Sequence, residues 1–207
     1  MHGNQKSSLR AIVLAGGKGT RLQPYTTVLP KPLMPVGDRP ILEHVLLQLK
    51  AAGFDRITIS VGHLAELIQV FFGNGERLGV SIEYAIEDEP LGTIGPLAFI
   101  PDLGENFLVV NGDILSDLDV SKLWANHLES DATLTIATHR RRVRIDFGVL
   151  HYDESHRVTA FEEKPTIPYD VSMGYYILNR RCLDFVPKDR PFGFDHLVLA
   201  LLKAGEK

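Results

Sequence analysis

The sequence predicts an α/β protein built on a mostly parallel sheet, with an antiparallel addition in its second half. Three observations carry this expectation. Short apolar runs alternate with helically spaced ones along the first part of the chain. Glycines and polar turns punctuate the ends of those runs. The later third is richer in strand-like segments that follow one another closely.

The elements follow in order. "LRAIVLA", Leu9 to Ala15, is an apolar run that ends in glycines and suits a buried strand. "ILEHVLLQLKAAG" places Ile41, Leu42, Val45, Leu46 and Leu49 at helical spacing, with Gly53 as the stop. "RITISVG" is the next strand and "HLAELIQVFFG" the next helix. "VSIEYAI" is strand-like, "GPLAFI" a short helical turn, and "NFLVVNGD" a buried strand ending in a polar turn. "DVSKLWANHLES" is a helix that Asp119 or Ser121 could cap. Strands are expected at "ATLTIAT", "DFGVLHYD", "RVTAFEE" and "MGYYIL", and a last helix at "DHLVLALLKAG". "LKAAGFDRITI" runs helix, glycine, turn, strand, and "LLKAGEK" begins the same phrase before the chain stops. A C-terminally truncated sequence is therefore expected.

With 207 residues the chain can bury a sizeable core, and its net charge of -4 argues against a duplex nucleic-acid binder. The basic run "HRRRVR", His139 to Arg144, suits a solvated strand end or hairpin. Cys182 is the one cysteine, so no internal disulfide forms, and it suits a small core residue better than a nucleophile. No segment approaches a membrane span and the N-terminus has no signal-like apolar region, so a cytoplasmic protein is expected.

The stretch "LAGGKGTRLQPYTTVLPKPLMPVGDRP", Leu14 to Pro40, suits neither a helix nor a strand. Connections this long inside a compact domain are usually functional or disordered. Leu22, Val28, Leu29, Leu33, Met34 and Val36 give it apolar residues to bury, which disfavours disorder. Its glycines follow a strand directly, at the edge where open α/β sheets take ligands. Gly16, Gly17 and Gly19 allow close backbone approach to an anion, Arg21 offers a two-point fork, and Lys31 a point charge. Pro30 and Pro32 fix the backbone around Lys31. The combination reads as a polyphosphate clamp. It is neither a Walker A loop, because Lys18 precedes Gly19, nor a dinucleotide fingerprint, because Leu22 stands where a third glycine is required.

"AGGKGTRLQPYTTVLPKPLMPVGDRPIL" resembles the signature of the sugar nucleotidyltransferases, and the similarity runs through nearly the whole chain. "EPLGTIGPL", Glu89 to Leu97, is similar to the family loop over the nucleotide base. "VVNGD", ending at Asp113, resembles its strand-end metal carboxylate, "FEEKP" its sugar-phosphate lysine motif, and "MGYYIL" the strand lining the sugar pocket.

The resemblance implies a three-layer α/β/α, Rossmann-like nucleotide-diphospho-sugar transferase fold on a mixed, mostly parallel sheet. It implies a single nucleotidyltransferase domain over 1–207, with 1–8 disordered or tag-like. The implied partners are a nucleoside triphosphate and a sugar 1-phosphate, which give a nucleotide-sugar and pyrophosphate; homo-oligomerisation is left open, and neither nucleic acid nor membrane is expected. Leu14, Ala15, Gly16, Gly17, Gly19, Thr20, Pro90, Leu91, Gly92 and Thr93 would bind the nucleotide. Arg21 would hold the leaving pyrophosphate, Lys31 the phosphates around the α-phosphorus, and Asp113 a Mg²⁺ ion. Lys164 would take the sugar phosphate and Glu163 the sugar hydroxyls. Gly148, Met173 and Gly174 would belong to the sugar pocket, the two glycines leaving room for the ring. Arg21, Lys31, Asp113 and Lys164 are thus the expected catalytic set.

One departure stands out. Family members usually carry a second metal aspartate in a Trp-x-Asp motif beyond the last helix, whereas Trp124 here falls within an earlier helix. Asp195 is a substitute only in principle, since "FGFDH" suits a helix N-cap. A nucleotide-sugar-binding regulatory protein without catalysis is therefore the alternative expectation. A relative acting on choline phosphate or another non-sugar phosphate shares the clamp, but "FEEKP" and "MGYYIL" favour a sugar. Among nucleotides the resemblance favours the guanylyl branch, which handles mannose or heptose 1-phosphates. "PLGTIGPL" stands where thymidylyl enzymes carry a Gly-Leu-Ala-Gln-type segment, and the clamp lacks the changes of the uridylyl glucose enzymes.

Overall fold

A computed structural model describes residues 9–17, 19–87 and 91–207. The expected lead over 1–8 lies outside them. The described chain falls into two compact units, one of residues up to Ile136 together with Gly174–Lys207, the other Ala137–Met173.

The first strand, β1, spans Arg10–Leu14. The long connection after it folds as 3₁₀ turns over Thr20–Leu22, Tyr25–Thr27 and Lys31–Leu33. It closes with a small ribbon of β2 (Pro35–Val36) and β3 (Arg39–Pro40). Prolines deny it a ladder but suit single turns. Helix α1 (Ile41–Ala51) buries Leu42, Val45, Leu46 and Leu49, the stripe that its spacing predicts. Then come β4 (Arg56–Val61), α2 (Ala65–Phe72), β5 (Ser81–Ile86), a 3₁₀ segment over Gly95–Phe99, and β6 (Asn106–Asn111).

Helix α3 (Val120–Ser130) settles the choice of cap: Asp119 Oδ1 accepts from the Lys122 N–H at 2.9 Å. Strand β7 (Leu134–Arg144) runs further than its apolar part and carries the basic run as an exposed strand end. The hairpin β8 (Gly148–Tyr152) and β9 (Val158–Glu163) is antiparallel. Strand β10 (Thr166–Asn179) leads to a 3₁₀ segment and to α4 (Phe194–Ala204). Gly193, not Asp195, holds the N-cap position of α4, and Asp195 sits in the first turn, where the helix dipole favours an acid.

The main sheet has the order β5-β4-β1-β6-β10-β7. Strands β5, β4, β1 and β6 are parallel and β10 is antiparallel to β6, as the sequence predicts. Helices pack on both faces, and two successive tyrosines of β10 show it. Tyr175 donates to Gln48 Oε1 of α1 at 2.7 Å, while Tyr176 stacks on Phe194 of α4 on the other face. This is the expected three-layer architecture. On the α4 side Ile12, Ile94, Leu97, Phe107, Val109, Leu178 and Leu197 form one buried cluster. Trp124 is a packing residue, edge-on to Phe54 at 5.2 Å. Cys182 is fully buried, and desolvation pushes its thiol up to about 12, consistent with a core residue. Among the described residues no helix is long and apolar enough to cross a membrane.

Candidate active site

Register sets the floor of the site. Leu14 at the end of β1 pairs with Ser60 of β4 and Asn111 of β6, so three strands finish level at their carboxyl edge. Backbone pairing continues past the strand ends: the Ala15 N–H donates to the Ser60 carbonyl at 2.8 Å, and the Gly112 N–H to the Leu14 carbonyl at 2.9 Å.

The clamp is braced from within. Gly19 has φ +60, and a Cβ there would lie 2.9 Å from Thr26 Cγ2 and 3.3 Å from Lys31 Cβ. Thr26, only 2% exposed, donates its hydroxyl to the Gly19 carbonyl at 2.9 Å. Pro32 and Leu33 are buried and anchor the turn that presents Lys31. The Lys31 ammonium reaches Asp113 Oδ2 at 2.5 Å, both side chains about one-third exposed (35% and 32%).

These parts surround a cleft of about 500 Å³. Of the residues expected to hold a nucleotide, Leu14, Ala15, Gly16, Gly17, Gly19, Thr20, Gly92 and Thr93 line it, together with Arg21, Lys31 and Asp113. Leu91 lines a neighbouring cleft instead. Pro90 lies outside the described residues. Gly174 belongs to the same compact unit, with φ +73, and a Cβ there would sit 2.7 Å from Asn111 Nδ2 and 2.5 Å from Ile114 Cδ1.

Gly148, Glu163, Lys164 and Met173 lie in the second unit. Within it Gly148 pairs with Glu163 across the hairpin, and the Phe161 ring occupies the space a Cβ at Gly148 would need, 2.6 Å away. Lys164 follows β9 with φ 46, a conformation non-glycine residues adopt at a cost of roughly 1–2 kcal/mol. Its ammonium lies 3.7 Å from Glu163 Oε1.

Two polar lining residues were not anticipated. Asn111 falls in a strand-end motif in which Asp113 alone was singled out. Glu87 directly follows the strand-like "VSIEYAI" run and belongs to none of the motifs singled out. It accepts from the Ser60 hydroxyl at 2.6 Å and from the Leu91 N–H at 3.5 Å, and packs against Gly16. The alternation of β5 puts Glu83 and Ala85 on one face, and Glu87 lies just beyond the last paired residue, Ile86.

Among the described residues the carboxylates that line the cleft are Glu87 and Asp113; Asp195 lies beside His196 in α4. No cluster of three or more His, Cys, Asp or Glu is placed to hold a metal among those residues. A lone Asp113 still suits Mg²⁺, which keeps several waters and takes one or two carboxylates plus substrate phosphates. The arrangement can therefore neutralise a polyphosphate with Arg21, Lys31 and backbone N–H groups at a sheet edge, beside one hard oxygen ligand.

A family model described as nucleotidyl transferase matches residues 10–199. The chain belongs to this nucleotidyl transferase family. Its relatives include a UTP–glucose-1-phosphate uridylyltransferase of Synechocystis, 34% identical over 89% of this chain and 52% of that protein. A mannose-1-phosphate guanylyltransferase of Mycobacterium tuberculosis is 36% identical over 95% and 56%. A D-glycero-alpha-D-manno-heptose 1-phosphate guanylyltransferase of Aneurinibacillus thermoaerophilus is 35% identical over 90% and 82%. The chain thus spans little more than half the length of the first two. The crystal structure of HddC from Yersinia pseudotuberculosis complexed with GMP-PN superposes with a TM-score of 0.67 at 28% identity, covering 90% of this chain and 83% of that one. Family membership and fold agree with the sequence-based expectation.

Proposed function

We propose that the protein transfers a nucleoside monophosphate from a triphosphate to a sugar 1-phosphate, forming a nucleotide-sugar and releasing pyrophosphate. The observation that carries this is the convergence of the glycine-rich strand end, Arg21, Lys31 and Asp113 on one cleft. A phosphate oxygen of the sugar 1-phosphate attacks the α-phosphorus, and the bond to pyrophosphate breaks. Both partners are polyanions, so alignment and charge neutralisation matter more than proton transfer.

Lys31 would exchange Asp113 for the phosphates around the α-phosphorus, and Arg21 would hold the departing pyrophosphate. Asp113 would hold a Mg²⁺ ion, which when bound would supply positive charge against that developing on the phosphates. In the second unit Lys164 would take the sugar phosphate and Glu163 the sugar hydroxyls. Met173, Gly174 and Gly148 would shape the sugar pocket.

Guanine is the favoured base. Glu87 is an acceptor-only carboxylate in the cleft, beside Gly92 and Thr93. Guanine presents two adjacent donors, N1–H and the N2 amino group, whereas uracil and thymine present one. The two guanylyl relatives support the same base and point to mannose- or heptose-type sugars, while the uridylyl relative is the competing precedent. The test is pyrophosphate release by the full-length protein with Mg²⁺ across triphosphates and sugar 1-phosphates. Turnover with GTP and a mannose- or heptose-type phosphate is expected. Silence across the whole panel would overturn the transfer reading, and preference for UTP or dTTP the choice of base.

A further inference from the structure

Thr93 lines the nucleotide cleft, yet its hydroxyl already has a partner. Its Oγ1 accepts from the N–H of Phe194 at 2.8 Å, a residue 101 positions away in the chain. Phe194 is the first residue of α4, and Gly193 at the N-cap has no side-chain oxygen to offer the donors there. Thr93 therefore caps α4 from a distant part of the sequence.

Backbone bonds run alongside that cap. The Phe192 N–H donates to the Leu91 carbonyl at 2.8 Å, and the Phe192 carbonyl accepts from the Ile94 N–H at 3.0 Å and the Gly95 N–H at 3.1 Å. By comparison, the bond from the Leu91 N–H to Glu87 is 3.5 Å. Gly92 has φ +80, and a Cβ there would lie 2.7 Å from the Phe192 carbonyl oxygen, so the two backbones are in close approach. The segment that grips the loop is itself anchored. Phe192 belongs to the buried cluster with Ile94, Leu97 and Leu197. Phe194 stacks on Tyr176 with ring centroids 3.7 Å apart, and Tyr176 pairs with Val109 of β6, whose end forms part of the cleft floor. Gly92 and Thr93 are exposed, so burial does not hold them in place. A loop that meets a base must be held beforehand, because any ordering on binding subtracts from affinity.

We infer that Phe192–Phe194 is the positioning segment of the nucleotide loop, a role that rests on the transfer reaction proposed for the cleft. Thr93 serves nucleotide binding through its bond to Phe194, not by meeting the nucleotide with its hydroxyl.

The test titrates GTP, with UTP alongside, into the full-length protein by calorimetry. T93V weakens GTP binding by roughly fivefold, the scale of one lost cap interaction, while T93S keeps the parent affinity. Without nucleotide, T93V also speeds hydrogen exchange at the Ile94 and Gly95 amides. Position 194 separates positioning from direct contact. F194A loses the ring and keeps the N–H, whereas F194P loses both. Proline suits the first helical position, after an extended residue such as Gly193. T93V weakens GTP binding in the F194A background and adds nothing in the F194P background. If F194P fails to fold, the exchange measurement decides. An equal effect of T93V in both backgrounds, unchanged exchange, or parent-like GTP affinity at a lower melting temperature would overturn the assignment alone. A parent protein that binds neither triphosphate would overturn the transfer reading, and this role with it.

Discussion

The Lys31 ammonium lies 2.5 Å from Asp113 Oδ2, joining positions 82 residues apart in sequence. Each group thus offsets the other's charge while no phosphate is bound. On the proposed reading an incoming polyphosphate would take over the lysine and leave the carboxylate for a cation.

K31M should lower kcat/KM for pyrophosphate release by about 10²–10³, the usual cost of removing one preorganised charge-stabilising group. D113N should lower kcat and raise the Mg²⁺ concentration needed for half-maximal rate. Steady-state kinetics over a Mg²⁺ series separates the two. A K31M protein with unchanged kcat/KM would remove the lysine from the reaction.

G19A should destabilise the fold by about 1–2 kcal/mol, because Gly19 is left-handed and its Cβ would press on Thr26. Gly17 has nothing within 4 Å of the equivalent position. G17A should therefore stay within about 0.5 kcal/mol of the parent. Urea denaturation of both variants makes the comparison.

E87Q should erode the preference for GTP. An amide offers one acceptor and one donor where the carboxylate offers two acceptors. A loss of about 1–3 kcal/mol in discrimination, about fivefold or more, is expected. Competition between GTP and UTP reads this directly; an unchanged ratio would exclude Glu87 from base recognition.

His127 should make stability pH-dependent. It is buried between Thr135 Oγ1 at 2.8 Å and Asn106 Oδ1 at 3.1 Å, and desolvation lowers its pKa from the ordinary 6.5. The folded state thus binds this proton less readily than the unfolded chain. Its stabilising contribution is complete above pH 6.5 and fades as pH falls below that toward the lower folded value. Urea midpoints at pH 7.5, 6.5 and 5.5 should decline, and H127Q should flatten the slope across that window.

Local chemistry was legible where it decides structure locally. The apolar period of α1, the buried runs of β1 and β4, and the Asp119 cap all follow from neighbours in sequence. The clamp was legible because its glycines, Arg21 and Lys31 fall within one stretch. Glu87 was not, because its role depends on the Ser60 hydroxyl of an adjacent strand. The basic end of β7 was legible too, since a charged run after an apolar strand suits a solvated strand end, and the run is exposed. The cap of α4 was misplaced by two residues because glycine offers no side-chain oxygen to mark it.

The Thr26 hydroxyl on the Gly19 carbonyl alters how the stretch after β1 behaves. The bond closes a short loop over residues 19–26 within the longer excursion, and that loop has little conformational freedom left to surrender. Such a stretch acts as a rigid frame. On the proposed reading a nucleotide entering it would spend little affinity on ordering the chain, so association should be fast and show little heat-capacity change beyond that of the buried base.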